Sequence, residues 1–283
     1  PQSYRDQFNP ADMPGALFRE SDLDQQKKLE AVDFQSKGRH PVELDINSPI
    51  VPHTQTKGLV EPPGPGGKDH RTLQAAYYAM IKQIDDQVGR MMDALEASGQ
   101  LGNTLVIFMS DHGETLGDHG LIQKGCRFYE GLVRVPLILS WPGRIKAGAV
   151  CDSLTELHDV TATIMEAAGQ DIPNYFHGRS LLSIAAGDSD ESSHRDFVRC
   201  EYYDALDQPD GTLATMYRDA SHKLVVYHGH GLGELYDLKK DPDEFDNLWD
   251  DPDHQALKMD LMQKSFDATM AAIDKGSERI GPM

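Results

Sequence analysis

Asp111, His112 and Lys124 are the residues whose types and spacing point most directly to chemistry. The run Thr104-Leu-Val-Ile-Phe-Met-Ser110 is apolar, rich in β-branched side chains, and breaks off at Asp111-His112-Gly113. Short continuous apolar runs of this kind mark buried strands. Open α/β sheets bind their ligands beyond the carboxyl ends of such strands. A carboxylate and an imidazole placed there, beside a glycine that admits close backbone approach, make half of a metal site. On a regular strand the two neighbours would face opposite ways; a glycine-containing turn lets both aim at one ion. Imidazole suits manganese or zinc better than calcium, which prefers an all-oxygen shell. Two ligands are too few for a stable site, so Glu114, Asp118 and His119 are candidates for further ligands or for groups that orient them. A plainer reading has Ser110 or Asp111 capping a following helix.

Lys124 opens a small basic cluster with Arg127 and Arg134 in a chain whose formal net charge is −19. Positive groups beside a metal would clamp a tetrahedral oxyanion and neutralise charge as a leaving oxygen departs. The alternative is solvated charges paired with Asp118 and Glu130. The overall acidity argues against nucleic acid as a partner, which calls for clustered Lys and Arg. It also means that an anionic substrate must be met by a local positive site. No apolar run approaches the roughly 18 residues of a membrane span. The cysteines, Cys126, Cys151 and Cys200, are odd in number and widely spaced, and indicate neither a zinc knuckle nor a disulfide framework.

The elements that must position these residues follow from periodicity. Residues 1 to about 68 are proline-punctuated and irregular, with a short helix near 20–35 and a Glu61-Pro-Pro-Gly-Pro-Gly-Gly67 end. From Arg71 to Ser98 a helix is predicted, because Leu73, Tyr77, Met80, Ile81, Ile84, Val88, Met91, Met92 and Leu95 form one apolar stripe. Gly99 closes it and a short loop leads into the strand before Asp111. A second buried strand is expected over 135–140, then a Trp141-Pro-Gly143 turn and a helix from His158 to Ala168. Beyond about 190 the pattern becomes antiparallel, with strands at 197–203, 213–218, 223–227 and 234–238. A last helix, about Asp253 to Lys275, carries Leu257, Leu261, Phe266 and Met270 on its inner side. The fold class is α/β: part of a mixed, mostly parallel sheet flanked by helices over 1–190, followed by a small antiparallel-sheet plus helix subdomain over 191–283.

The segment Ser110-Asp-His-Gly-Glu-Thr-Leu-Gly-Asp-His-Gly120, then Gln123-Lys-Gly125 and Phe128-Tyr-Glu-Gly-Leu-Val-Arg-Val-Pro-Leu137, closely resembles the second half of type I sulfatases, members of the alkaline-phosphatase-like superfamily. The resemblance extends to Ala75–Met80 with Ile84–Arg90, to Asp159–Ile164 with Gly178–Leu181, and to Lys223–Tyr227 with Glu234–Pro242 and Glu244–Leu248. Even Pro1 to Pro14 is similar to the loop after the family's middle Pro-His segment. By that resemblance Asp111 and His112 ligate one divalent cation, calcium in the first place, with Mn²⁺, Mg²⁺ or Zn²⁺ as alternatives. His112 stands where many sulfatases carry asparagine; relatives with histidine there include sulfatases and also phosphonate or phosphodiester hydrolases. Lys124 matches the lysine that contacts the sulfate and the ester oxygen. His119 is implied to touch substrate, and Tyr129, Glu130 and Arg134 to form a structural stretch behind the site. The implied substrate is a sulfated small molecule or carbohydrate, with the loop Tyr202–Asp207 helping to define a sugar pocket, and the implied location is periplasmic or secreted.

The family's nucleophile is a formylglycine made from Cys or Ser in a Cys/Ser-x-Pro/Ala-x-Arg sequence. None of the cysteines here lies in that setting: Cys126 precedes Arg-Phe, Cys151 Asp-Ser and Cys200 Glu-Tyr. Asp85-Asp86 follow the helix pattern rather than matching the family's opening aspartate pair. The expectation is therefore that these residues are the C-terminal portion of a longer enzyme, whose missing N-terminal part supplies the formylglycine. The alternatives are a phosphonate monoester or phosphodiester hydrolase of the same superfamily, or a non-catalytic relic of the fold. No residue pattern speaks to oligomeric state.

Overall fold

The computed structural model describes residues 1–32, 37–41, 70–189, 194–203 and 211–273. The expected Pro-Gly end at 61–67 and most of the Tyr202–Asp207 loop fall outside the described residues. In chain order the elements are α1 (Gln2–Arg5), α2 (Glu20–Lys28), α3 (His70–Ala97), β1 (Val106–Met109), α4 (Glu130–Val133), β2 (Leu137–Ser140), α5 (Leu157–Ala167), α6 (Leu182–Ala186), β3 (Phe197–Tyr203), β4 (Leu213–Asp219), β5 (His222–Tyr227), β6 (Leu232–Asp237) and α7 (Gln255–Ala271). None of these helices is long and apolar enough to cross a membrane.

β1 and β2 pair antiparallel, with Val106 opposite Ser140 and Met109 opposite Leu137. The expected α/β class is present, but the parallel pairing expected of this sheet does not occur among the described residues, where every strand pair is antiparallel. Both strands are half-buried rather than buried, since no third strand flanks them among the described residues. The apolar stripe of α3 is likewise open: Met80, Ile81, Ile84 and Met91 are exposed, and burial is confined to His70, Gln74, Ala75 and Ala79 near its start. There the segment before α2 covers it, with Gln74 Nε2 donating to Gly15 O at 3.0 Å and Phe8 edge-on to Tyr78.

The second sheet runs β3-β4-β5-β6, antiparallel throughout. Alternation along its strands sends neighbours to opposite faces. Met216, Val225 and Tyr227 pack against Leu29, Val32, Cys126 and Phe128. Tyr217, Leu224 and Leu235 pack against Leu261 and Ala268 of α7. α7 differs from expectation at Phe266 and Met270, which are exposed; Leu261, Ser265 and Ala268 face inward. Small residues at the last two of these turns bring the helix close to the sheet, and Phe266, one residue further round, points outward. The first core also shows that the sheet beyond residue 190 is packed against the segment that carries Lys124.

α5 is tied into the structure at its start. Asp159 is completely buried and accepts from Glu156 N–H (2.9 Å), Arg179 N–H (2.7 Å) and Arg195 Nε (2.9 Å), with His194 Nε2 at 3.2 Å. Glu156, His158 and Asp159 lie close enough together to suggest a metal cluster, but the Arg195 guanidinium already sits among them, 3.0 Å from Glu156. A fixed cation there fills the role a metal would take.

Candidate active site

The chain leaves β1 at Ser110, whose hydroxyl donates to His112 O at 2.7 Å and starts a tight turn. Asp111 Oδ1 accepts the His112 N–H at 3.0 Å. His112 Nδ1 lies 2.8 Å from Gly113 O. A carbonyl can only accept, so Nδ1 carries the proton and Nε2 keeps its lone pair directed outward. Lys124 Nζ donates to that lone pair at 2.7 Å. Asp111 Oδ2 is 3.7 Å from the same Nε2. The three expected residues are thus brought to one point. The Asp111 carboxyl is held below the usual carboxylate range, first by the His112 N–H, then by the imidazole, with Lys124 adding a smaller effect.

These residues fit a divalent cation in two respects. The imidazole tautomer is the ligating one, fixed by a backbone carbonyl as in known metal sites. A separation of 3.7 Å also lets Asp111 Oδ2 and His112 Nε2 reach one ion at ordinary bond lengths. Among the described residues no third carboxylate, imidazole or thiol joins them. Glu114 and Asp118, the nearby candidates, are mostly occupied elsewhere: Glu114 accepts Thr115 N–H at 2.9 Å and Asp118 accepts Leu17 N–H at 2.8 Å. Burial pushes both carboxyls above their ordinary range.

Gly113 is required by space rather than by its dihedral angles. Its N–H donates to Leu132 O at 2.8 Å, and a Cβ there would lie 1.9 Å from Gly131 O. Gly113→Ala is therefore expected to drive α4 away from the turn and destabilise the fold by at least about 1–3 kcal/mol, the usual cost of overpacking. Urea denaturation of the variant checks this; an unchanged midpoint would mean the contact is looser than described.

Between the turn and Lys124 the backbone takes left-handed conformations at Leu116, His119 and Gln123, with φ of 52°, 53° and 72°. Such angles are costly for these residues and persist only where surroundings enforce them. Thr115 Oγ1 supplies part of that enforcement, 2.9 Å from Leu121 O and 2.8 Å from Gln123 O. His119 supplies more. Its side chain is only 4% exposed, stacked 3.9 Å from Tyr129, with Nδ1 3.3 Å from the buried Asp22 of α2. The ring expected against substrate is instead turned into the interior, where protein groups occupy both its face and its edge. Arg127, read as part of the basic cluster, is also interior, donating to Gln26 Oε1 and Leu29 O.

Ser140-Trp-Pro-Gly-Arg144 has the letters of the nucleophile pattern. The register sets Ser140 opposite Val106, at the far end of β1 from Asp111. Three strand residues at about 3.3 Å each separate it from the level of Met109, so Ser140 is not part of the cluster.

Asp111, His112 and Lys124 lie on the wall of one cleft of about 2080 Å³, which continues along β2 to the start of α5. A pocket for a small ligand is typically about 300–1,000 Å³. The site therefore opens onto a broad face rather than into an enclosed pocket.

Two family models match this chain, one described as sulfatase over residues 21–170 and one as N-sulphoglucosamine sulphohydrolase, C-terminal, over residues 117–270. The chain belongs to the sulfatase family. It is 30% identical to an arylsulfatase of Clostridium perfringens, over 93% of this chain and 49% of that protein. Among solved structures it is similar to a phosphonate monoester hydrolase from Silicibacter pomeroyi, with a TM-score of 0.78 and 26% identity over 97% of this chain and 54% of that one. It is also similar to a protein solved in complex with its substrate D-glucosamine-2-N,6-O-disulfate, with a TM-score of 0.66 and 27% identity over 75% of this chain and 43% of that one. The chain thus spans about half the length of these relatives.

Proposed function

We propose that this sulfatase-family chain is the C-terminal part of a metal-dependent sulfuric ester hydrolase that acts on a sulfated carbohydrate. The observation that carries the reading is the convergence of the Lys124 ammonium and the Asp111 carboxylate on His112 Nε2. Asp111 and His112 would hold the divalent cation, calcium by family resemblance, and the cation would supply Lewis-acid stabilisation of sulfate oxygens. Lys124 places a full charge and up to three donors beside that position. Its task is to stabilise negative charge on the ester oxygen as the S–O bond breaks. The His112 lone pair serves either a cation or Lys124, so metal binding frees the ammonium for substrate.

The nucleophile is proposed to lie in preceding polypeptide, as a formylglycine whose hydrated form supplies the attacking hydroxyl. The open cleft, the unflanked β1–β2 pair and the exposed stripe of α3 support that reading, because among the described residues each lacks a covering layer. The carbohydrate assignment rests on the relative solved with a disulfated glucosamine.

A second reading, a phosphonate monoester or phosphodiester hydrolase, is favoured by the likeness to the phosphonate monoester hydrolase over nearly the whole chain. The test is the full-length enzyme on sulfate and phosphonate or phosphodiester substrates sharing one leaving group. A higher kcat/KM on the sulfate is expected; the reverse order replaces the first reading with the second. No turnover of any of them would leave the non-catalytic alternative standing.

A further inference from the structure

Lys223 of β5 has no exposed surface, yet it carries a charge into the interior. It leaves the sheet on the face of Val225 and Tyr227, toward the segment that holds Lys124. Lys223 Nζ donates to Phe128 O at 2.8 Å and forms ion pairs with Glu130 Oε1 at 2.8 Å and Glu244 Oε1 at 2.7 Å. The second oxygen of Glu244 accepts the Glu130 N–H at 2.6 Å. Arg218 of β4 adds a contact to Glu130 at 3.2 Å. Glu244 is held in a left-handed conformation, φ 59°, to make this reach.

Two of these bonds end on backbone, at Phe128 O and Glu130 N, where the chain turns from the Lys124 segment into α4. α4 in turn presents Leu132 O to Gly113 N–H, beside His112. The buried cluster therefore grips a stretch of chain that is continuous with the Lys124 segment and hydrogen-bonded to the Asp111-His112 turn through Gly113. Buried ion pairs seldom add more stability than apolar residues of the same size would, so stability is a poor reason for this one. We propose that Lys223 and Glu244 are positioning residues, which fix the 128–132 backbone so that Lys124 and the Asp111-His112 turn meet at one point. The proposal rests on the reading of that point as the reactive site.

The test uses the full-length enzyme with K223M and with the double variant K223M/E244M, which removes both charges and so avoids stranding a buried carboxylate. Activity is measured on two aryl sulfates, one with a nitrophenol and one with an unsubstituted phenol as leaving group. Amide exchange is followed at 110–116 and at 213–219. The expected result is a kcat lower by roughly 10–100-fold with KM nearly unchanged, as a misplacement of about 1 Å produces. The loss is larger for phenol, whose departing oxygen depends more on Lys124. Exchange at Gly113 speeds up while 213–219 stays as in the wild type. Wild-type kcat in the double variant, or unaltered exchange at Gly113, overturns the proposal. Should the wild type hydrolyse neither aryl sulfate, the sulfatase reading falls by itself, and exchange at Gly113 still decides the positioning role.

Discussion

Lys124→Met in the full-length enzyme is expected to lower kcat/KM on an aryl sulfate by roughly 10²–10³-fold, the usual loss when a preorganised donor to developing negative charge is removed. Methionine keeps most of the side-chain length, so the loss reads the charge and its protons rather than the packing. Lys124 is exposed on the wall of the cleft and its hydrogen bond is to His112, so the melting temperature should barely move. Lys124→Arg should recover little, because a planar fork cannot reproduce a compact ammonium. The decisive measurement is the dependence of kcat/KM on leaving-group pKa, which should steepen in the variant. A loss below about tenfold, independent of leaving group, would remove Lys124 from the chemistry.

The largest effect on stability is expected at Asp159. Asp159→Ala leaves the Arg195 guanidinium, the His194 ring and the Glu156 and Arg179 N–H groups without their shared acceptor. Breaking a buried pair from one side costs about 3–5 kcal/mol, which would consume much of the net stability of an ordinary domain. The same carboxyl gives an acid dependence of known sign. Burial pushes its pKa up, but the Arg195 contact and the backbone donors more than offset this, and the net shift is downward. A depressed carboxylate contributes its stability above the unfolded value, near 3.9, and loses it as pH falls through the folded value below that. Denaturation midpoints between pH 6 and 3 should therefore fall more steeply for the wild type than for Asp159→Asn. Parallel curves would falsify the assignment of this acid sensitivity to Asp159.

Much of the fold was legible because its signals are local. The 3.6-residue recurrence over 71–98 anticipates α3 to within a residue or two at each end, and alternation anticipates β3 to β5. Which face is buried was less legible. The α3 stripe is apolar yet largely exposed, and α7 buries Ser265 and Ala268 in preference to Phe266 and Met270. Periodicity reports that a face exists; what covers it is set by residues far away in sequence. His119 shows the same limit at the site, where its motif position suggests a substrate contact and its surroundings make it an interior ring.

The sequence by itself determined that a carboxylate and an imidazole sit at the end of an apolar strand, that a lysine follows within a glycine-containing loop, and that these belong to a sulfatase-like motif. Spacing and residue type suffice for that, since neighbours along the chain are neighbours in space. Only the tertiary structure decided that Lys124 folds back onto His112 Nε2, which tautomer His112 adopts, and that Ser140 lies at the wrong end of its strand. It alone joined Lys223, Glu130 and Glu244 into one buried cluster. The contacts of Glu130 with Lys223 and Glu244 span 93 and 114 positions, and no local pattern records which faces a closing core will bring together.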